Sequence, residues 1–267
     1  MWYLVGKYIS VTLGALASIK LPRLFGAPIV SLVATLLKID VSEAEHALSH
    51  YRSTQDLFTR RLRADARPLE AGLVSPVDGF FRAAGPTSQF IHSSVKGQKY
   101  DLQEFLGQTE LAKKLETGSF VNLYLSPRDY HRIHAPCTLS IKRRIHIPGC
   151  LWPVNSWALT RVPLLFQKNE RVVLEFESEF GCGALVMVGA LNVGSMQLAF
   201  EEIRTNHPLS WTRSRQSRNF EPAVAVEKGQ ELGTFLLGSS VLLFFAGQMK
   251  FVAREKGLAI RLGQSLG

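Results

Sequence analysis

Cysteine is scarce in this chain. There are three in 267 residues (Cys137, Cys150, Cys182), an odd number with no Cys-x-x-Cys spacing. That excludes a disulfide framework and points to a reducing compartment. Acidic residues are also in short supply, 22 against 31 Lys and Arg, and the resulting net charge of +9 favours an anionic partner. Nor do the first forty residues hold an apolar run of spanning length. Tyr8–Ile19 lies uncharged between Lys7 and Lys20, and Leu24–Leu37 between Arg23 and Lys38. As helices these reach only about 18–21 Å, against a hydrocarbon core of about 30 Å. Low-complexity segments, repeats and long linkers are missing too, so a disordered or collagenous chain is excluded. A hydrophobic fraction of 46% is ample for a core without metal or disulfide staples.

The N-terminal stretch has three readings. Lys7 followed by an apolar run and Ala15-Leu16-Ala17 resembles a secretory signal, although Met1–Val5 is too apolar for its basic start. Two core helices are the second. The third is a pair of helices lying in a membrane interface, separated by Pro22, interrupted at Pro28 and flanked by Lys and Arg. Ser42 and Glu45 have capping-box spacing, with Ala44, Ala47, Leu48 and Tyr51 on one helical face. Ser53 opens a further short helix through Leu57, Phe58 and Leu62, and Arg60, Arg61, Arg63 and Arg67 behind it read as a solvated basic face, with an anion-binding patch as the alternative.

Beyond residue 72 the pattern is mainly β. Phe120–Leu125, Val172–Phe176, Ala184–Leu191, Val224–Val226, Thr234–Leu237 and Ser240–Phe245 are short, β-branched or aromatic, and bounded by turn residues. One helix is predicted over Asp101–Leu115, and 203–220 (Arg204, Arg213, Arg215, Arg218) reads as a basic loop. These features give an α+β chain: a helical membrane-docking arm over 1–66, then a mainly antiparallel β domain with few helices over 67–267.

Three segments carry chemistry. Ser75-Pro76-Val77-Asp78-Gly79 is a turn that offers a carboxylate. In Ser126–Pro136, Ser126 and Pro127 start a predicted helical turn that sets His131 and His134 on one face. That pair suits an acid–base role, a metal pair or plain surface. Asp78, His131 and His134 together allow a zinc-hydrolase reading, but no Glu sits between the histidines as in His-Glu-x-x-His. In Leu236–Val241, Gly238 offers an accessible carbonyl and Ser239 a hydroxyl one residue on. That arrangement permits an N-to-O acyl shift, then elimination and hydrolysis to a pyruvoyl group.

Taken in order, these segments resemble the phosphatidylserine decarboxylase family, in its pyruvoyl-dependent, bacterial membrane-associated form. Pro148–Leu151 with Val154-Asn155, Asn169-Glu170-Arg171 and Val188–Ser195 add to the match, which runs from Tyr51 to Arg261. Ser240 stands where many members carry Thr. The resemblance implies a triad of Asp78, His134 and Ser239 and self-cleavage between Gly238 and Ser239. A large piece (1–238) and a small piece (239–267) would result. It further implies that the pyruvoyl group from Ser239 decarboxylates phosphatidylserine to phosphatidylethanolamine through a Schiff base, with His131 aiding substrate placement or protonation. No metal and no nucleic acid is implied. A homodimer on the cytoplasmic side of the cell membrane is expected. An unprocessed membrane-binding relative is the non-enzymatic alternative.

Overall fold

A computed structural model describes residues 2–191, 195–203, 205, 214–236 and 239–267. Two helices open it, α1 (Trp2–Ser18) and α2 (Arg23–Leu37), broken at the Pro22 N-cap. Pro28 does not interrupt α2 but lies inside it, costing one backbone hydrogen bond near the start. Among the described residues no helix is long and apolar enough to cross a membrane. The capping-box helix predicted from Ser42 is not formed. Ser42 Oγ donates to Asp40 Oδ1 instead, and only a 3₁₀ turn, Leu48–His50, appears before Tyr51. Residues 43–45 are used otherwise: Glu45 N donates to Arg61 O, Arg63 N to Glu43 O, and Ala44 pairs with Leu62. Helix α3 (Thr54–Phe58) follows, its Asp56 amide capped by Ser53 Oγ at 3.0 Å. Val30, Ala34, Ile39, Tyr51, Leu57 and Phe58 form a small core of their own in this N-terminal part.

Strand β1 (Gly79–Pro86) leads to α4 (Thr87–Ile91), α5 (Leu102–Leu106), α6 (Thr109–Leu115), β2 (Ser119–Leu125), β3 (Arg132–His134) and β4 (Leu139–Ile147). The helix predicted over 101–115 is two, because Gly107 turns left-handed (φ 74°) after α5. Then come α7 (Ser156–Leu159), α8 (Leu165–Lys168), β5 (Arg171–Ser178), β6 (Gly181–Val188), β7 (Met196–Leu198), β8 (Gln216–Val226), β9 (Glu231–Phe235), β10 (Ser239–Phe245) and β11 (Ala259–Ile260). Residues 216–220, expected as loop, begin β8, paired with β4. Of the basic residues in that expected loop, Arg204 and Arg213 lie outside the described residues.

Eight strands form one antiparallel sheet in the order β11-β1-β2-β10-β6-β5-β4-β8, and three form a second, β3-β9-β7. Side chains alternate across a strand. On β10, Val241, Leu243 and Phe245 meet Ile133, Phe235 and Leu198 of the small sheet, while Leu242 and Phe244 meet Phe90, Phe105, Leu111 and Phe166 of the helical layer. The large sheet thus lies between a small sheet and a layer of helices. The α+β class, with helices first and a mainly antiparallel sheet after, is what the sequence predicts.

Candidate active site

The turn before β1 places Asp78 at the rim of the gap between the sheets. Gly79 is required there, since a Cβ would collide with the Tyr124 carbonyl on the neighbouring strand. The Asp78 carboxylate takes a two-pronged bond from Arg67, Nε to Oδ1 at 2.9 Å and Nη2 to Oδ2 at 2.6 Å. A third bond comes from the Leu262 amide to Oδ1 at 2.8 Å.

His134 ends β3, and its amide donates to Pro76 O at 2.9 Å, tying it to the Asp78 turn. Its Nδ1–H donates to the Gly229 carbonyl at 2.7 Å, and its Nε2 accepts from the Tyr130 hydroxyl at 3.1 Å. Burial pulls its pKa below the usual imidazole value, against opposing pulls from the Gly229 bond, Glu231 and Asp78. Burial also raises the Tyr130 phenol well above its ordinary range, so it remains a donor. His134 is therefore a neutral base whose lone pair is on Nε2.

His131 does not share a helical face with His134. Only a short turn, closed by Asp129 N to Ser126 O at 3.0 Å, precedes an extended run into β3. Pro136 and the pairing of Arg132 with Thr234 favour strand over helix here. The His131 ring is fully buried, edge-on to Phe58, with Nδ1–H donating to Asp129 O at 2.8 Å. Its Nε2 has no hydrogen-bond partner among the described residues. Burial drops its pKa to about 4, so it is neutral at physiological pH.

Ser239 begins β10, opposite Leu125, on the same strand face as Val241 and Leu243. It is wholly buried, and its hydroxyl has no hydrogen-bond partner among the described residues. Since β9 belongs to the small sheet and β10 to the large one, the chain changes sheets between Phe235 and Ser239. Gly238 lies outside the described residues. The His134 amide thus ties β3 to the Asp78 turn, and the aligned pairs Phe80–Tyr124 and Tyr124–Ser240 set that turn and Ser239 at the same end of the large sheet. No hydrogen bond joins Asp78 to His134, or His134 to Ser239, among the described residues. Asp78, His131 and His134 do not converge as metal ligands either. Both Asp78 oxygens are committed to Arg67, and the two imidazoles are held by different partners.

Sequence reasoning missed Tyr130, Gly229 and Arg67. It also read Arg60 and Arg67 as solvated, whereas Arg60 is buried against Leu57 O and Arg128 O and Arg67 is turned inward. An arginine's destination leaves little trace in a sequence. The one signal for Tyr130 is its place four residues before His134.

Beside the site lies an apolar cavity of about 520 Å³, lined by Leu13, Leu16, Val33 and Leu37 of the first helices, Phe58 of α3, and Tyr124, Pro127, Val154 and Leu191. Its far wall is braced by the supporting motifs. Cys150 N donates to Lys168 O and Glu170 N to Cys150 O, and Asn169 Nδ2 donates to Trp152 O and Gly189 O. Arg171, almost fully buried, donates to the carbonyls of Glu104, Phe105, Gln167 and Asn169.

A family model described as "Phosphatidylserine decarboxylase" matches residues 54–267. Among curated proteins, the chain is 43% identical to a phosphatidylserine decarboxylase proenzyme of Methylibium petroleiphilum, over 86% of this chain and 82% of that one. It is 40% identical to a proenzyme of the same name from Acidovorax ebreus, over 95% and 90%. With that of Hamiltonella defensa the identity is 34%, over 99% and 95%.

Proposed function

The chain belongs to the phosphatidylserine decarboxylase family, and we propose that it is a proenzyme that cuts itself before Ser239 and then converts phosphatidylserine to phosphatidylethanolamine and carbon dioxide. The observation that carries this reading is the wholly buried Ser239 hydroxyl, unpartnered among the described residues, at the end of the large sheet where the Asp78 turn, tied to His134, also lies.

In the cut, Ser239 Oγ attacks the carbonyl of Gly238 while His134 Nε2 takes its proton, in the manner of a serine protease acting on its own chain. Such an attack is intramolecular, worth effective molarities of about 10⁵–10⁸ M when well oriented. The ester so formed loses the Cα proton and expels the carboxylate of residue 238. Hydrolysis of the resulting dehydroalanine releases ammonia and leaves a pyruvoyl group. A Ser239 buried at the start of a central strand, its hydroxyl unpartnered among the described residues, fits that origin. The group supplies a ketone for the substrate amine and a carbonyl that accepts electrons as carbon dioxide leaves. Gly229 fixes the His134 tautomer, Asp78 supports the imidazolium charge, and His131, neutral and fully buried, is the group proposed to place substrate or return the proton.

The arm over 1–66 is proposed as a monotopic anchor at the cytoplasmic face of the cell membrane, with 67–267 as the catalytic domain. Eleven of the fifteen large apolar side chains exposed among the described residues lie between Tyr8 and Leu37, including Leu16, Leu24, Phe25 and Leu36. Lys20 and Lys38 at the ends of these helices would each add about 1 kcal/mol on an anionic leaflet. The apolar cavity, lined in part by Leu13, Leu16, Val33 and Leu37 of these helices, suits the lipid's acyl chains. The family resemblance alone supports a homodimer.

Denaturing mass spectrometry tests the reading. Two pieces divided before residue 239, the smaller with a carbonyl-bearing blocked start, are expected. Ser239→Ala should stay whole and inactive. An intact chain that decarboxylates phosphatidylserine would overturn the proposal, and an intact inactive chain would favour the non-enzymatic relative.

A further inference from the structure

Asp78 is one corner of a ring of ion pairs closed by a backbone amide. Arg67 holds its carboxylate by two hydrogen bonds, and the same Arg67 Nη2 lies 2.8 Å from Glu43 Oε2. Glu43 Oε1 accepts from Arg261 Nη1 at 2.9 Å. The next residue, Leu262, returns to Asp78 through its amide. The ring joins the arm (Glu43), the first residue of the catalytic domain (Arg67), the turn before β1 (Asp78) and the C-terminal segment (Arg261, Leu262).

Its members are not equally wet. The side chains of Arg67 and Asp78 are 9% and 12% exposed, that of Glu43 23%. A nearly buried carboxylate is held in one orientation by a fixed, charged partner. An arginine fork sets the plane of the carboxylate as well as its charge, which a lysine cannot do. The backbone of Glu43 is tied down, because residues 43–45 pair with 61–63. Arg67 Nη2 is therefore drawn to two carboxylates at once, one on each side.

We propose that Arg67 is the positioning residue of the Asp78 carboxylate, and that Glu43 sets Arg67 so that the docked arm and the C-terminal segment are both needed for efficient chain cleavage. This rests on the reading of Asp78 as the acid of the triad. Arg67 acts through Asp78 and touches none of the reacting atoms.

The test follows cleavage of the full chain after cell-free synthesis, by denaturing gel, alongside melting temperature. Arg67→Gln removes the two-pronged bond that orients the Asp78 carboxylate, and a misplaced catalytic group costs roughly 100-fold, so cleavage should slow by about that factor. Arg67→Lys keeps the charge but not the fork, and should recover to within about tenfold of the natural chain. Glu43→Gln, partly solvated, should slow cleavage about threefold to fivefold alone and have almost no effect in the Arg67→Gln background, as expected of residues acting through one another. A purely structural role would make cleavage follow melting temperature, without lysine rescue and with additive effects, and would overturn the proposal. So would normal cleavage in Arg67→Gln while Asp78→Asn is blocked. Normal cleavage in Asp78→Asn would instead remove the triad assignment.

Discussion

Tyr130 and His134 face each other at 3.1 Å, the phenol donating to Nε2, while the Gly229 carbonyl takes the Nδ1 proton on the other side. The imidazole is thereby fixed in the one tautomer that can accept a proton at Nε2. In the proposed cleavage, Ser239 must displace or share the Tyr130 hydrogen bond to reach Nε2.

Tyr130→Phe should therefore change the pH dependence of cleavage. The bond from the phenol stabilises the neutral imidazole, so its loss makes protonation easier. A hydrogen bond of about 1 kcal/mol corresponds to roughly 0.7 pH unit. The acid limb of the cleavage rate should move up by about that amount. An unmoved limb would detach Tyr130 from the base.

Burial holds His131 at a pKa of about 4, against 6.5 for a free imidazole. Its folded pKa is depressed, so its contribution to stability is complete above 6.5 and is lost as pH falls toward about 4. Urea unfolding between pH 7.5 and 4.5 should show stability falling over that window. His131→Gln should flatten that part of the slope.

Arg171 spends its guanidinium on four backbone carbonyls. Arg171→Met would leave buried acceptors unpaired, at about 1–3 kcal/mol each, for a total loss of about 3 kcal/mol or more. A clear drop in melting temperature is the expected result. A change within about 0.5 kcal/mol would mean that water replaces the clamp.

For the arm, deleting residues 1–40 is a poor experiment, because Val30, Ala34 and Ile39 belong to the small core with Tyr51, Leu57 and Phe58. Leu16→Glu with Leu36→Glu charges two well-exposed positions and spares that core. Co-sedimentation with phosphatidylserine vesicles should fall severalfold while chain cleavage persists, since burying a charge in lipid costs about 2.5–3.5 kcal/mol. Unchanged sedimentation would make the apolar face something other than an anchor.

The strands around the site were legible wherever apolar runs met turn residues, as in Ser119–Leu125 and Ser239–Phe245. β4 was not, because Lys142, Arg143 and Arg144 interrupt the alternation and a register shift between Ile141 and Arg143 absorbs them. The motif residues were legible as a set. Their partners were not: Gly229 acts through its carbonyl, and Arg67 was one of several arginines whose destinations only tertiary contacts decide. The His131–His134 spacing misled because a helix period was read where Pro136 and cross-strand pairing impose an extended chain.

β10 has a bearing on inheritance. It is hydrogen-bonded along its length to β2 on one side and β6 on the other, and the same C-terminal stretch runs on to β11 at the far edge, where Gly267 O accepts from Leu73 N. A chain severed before Ser239 keeps its tail woven through the middle of a sheet made by the rest. The tail cannot be traded without tearing that sheet in two. Isotopically heavy and light molecules, matured separately and then mixed, should never yield a hybrid, so every mature molecule would descend from a single parent chain.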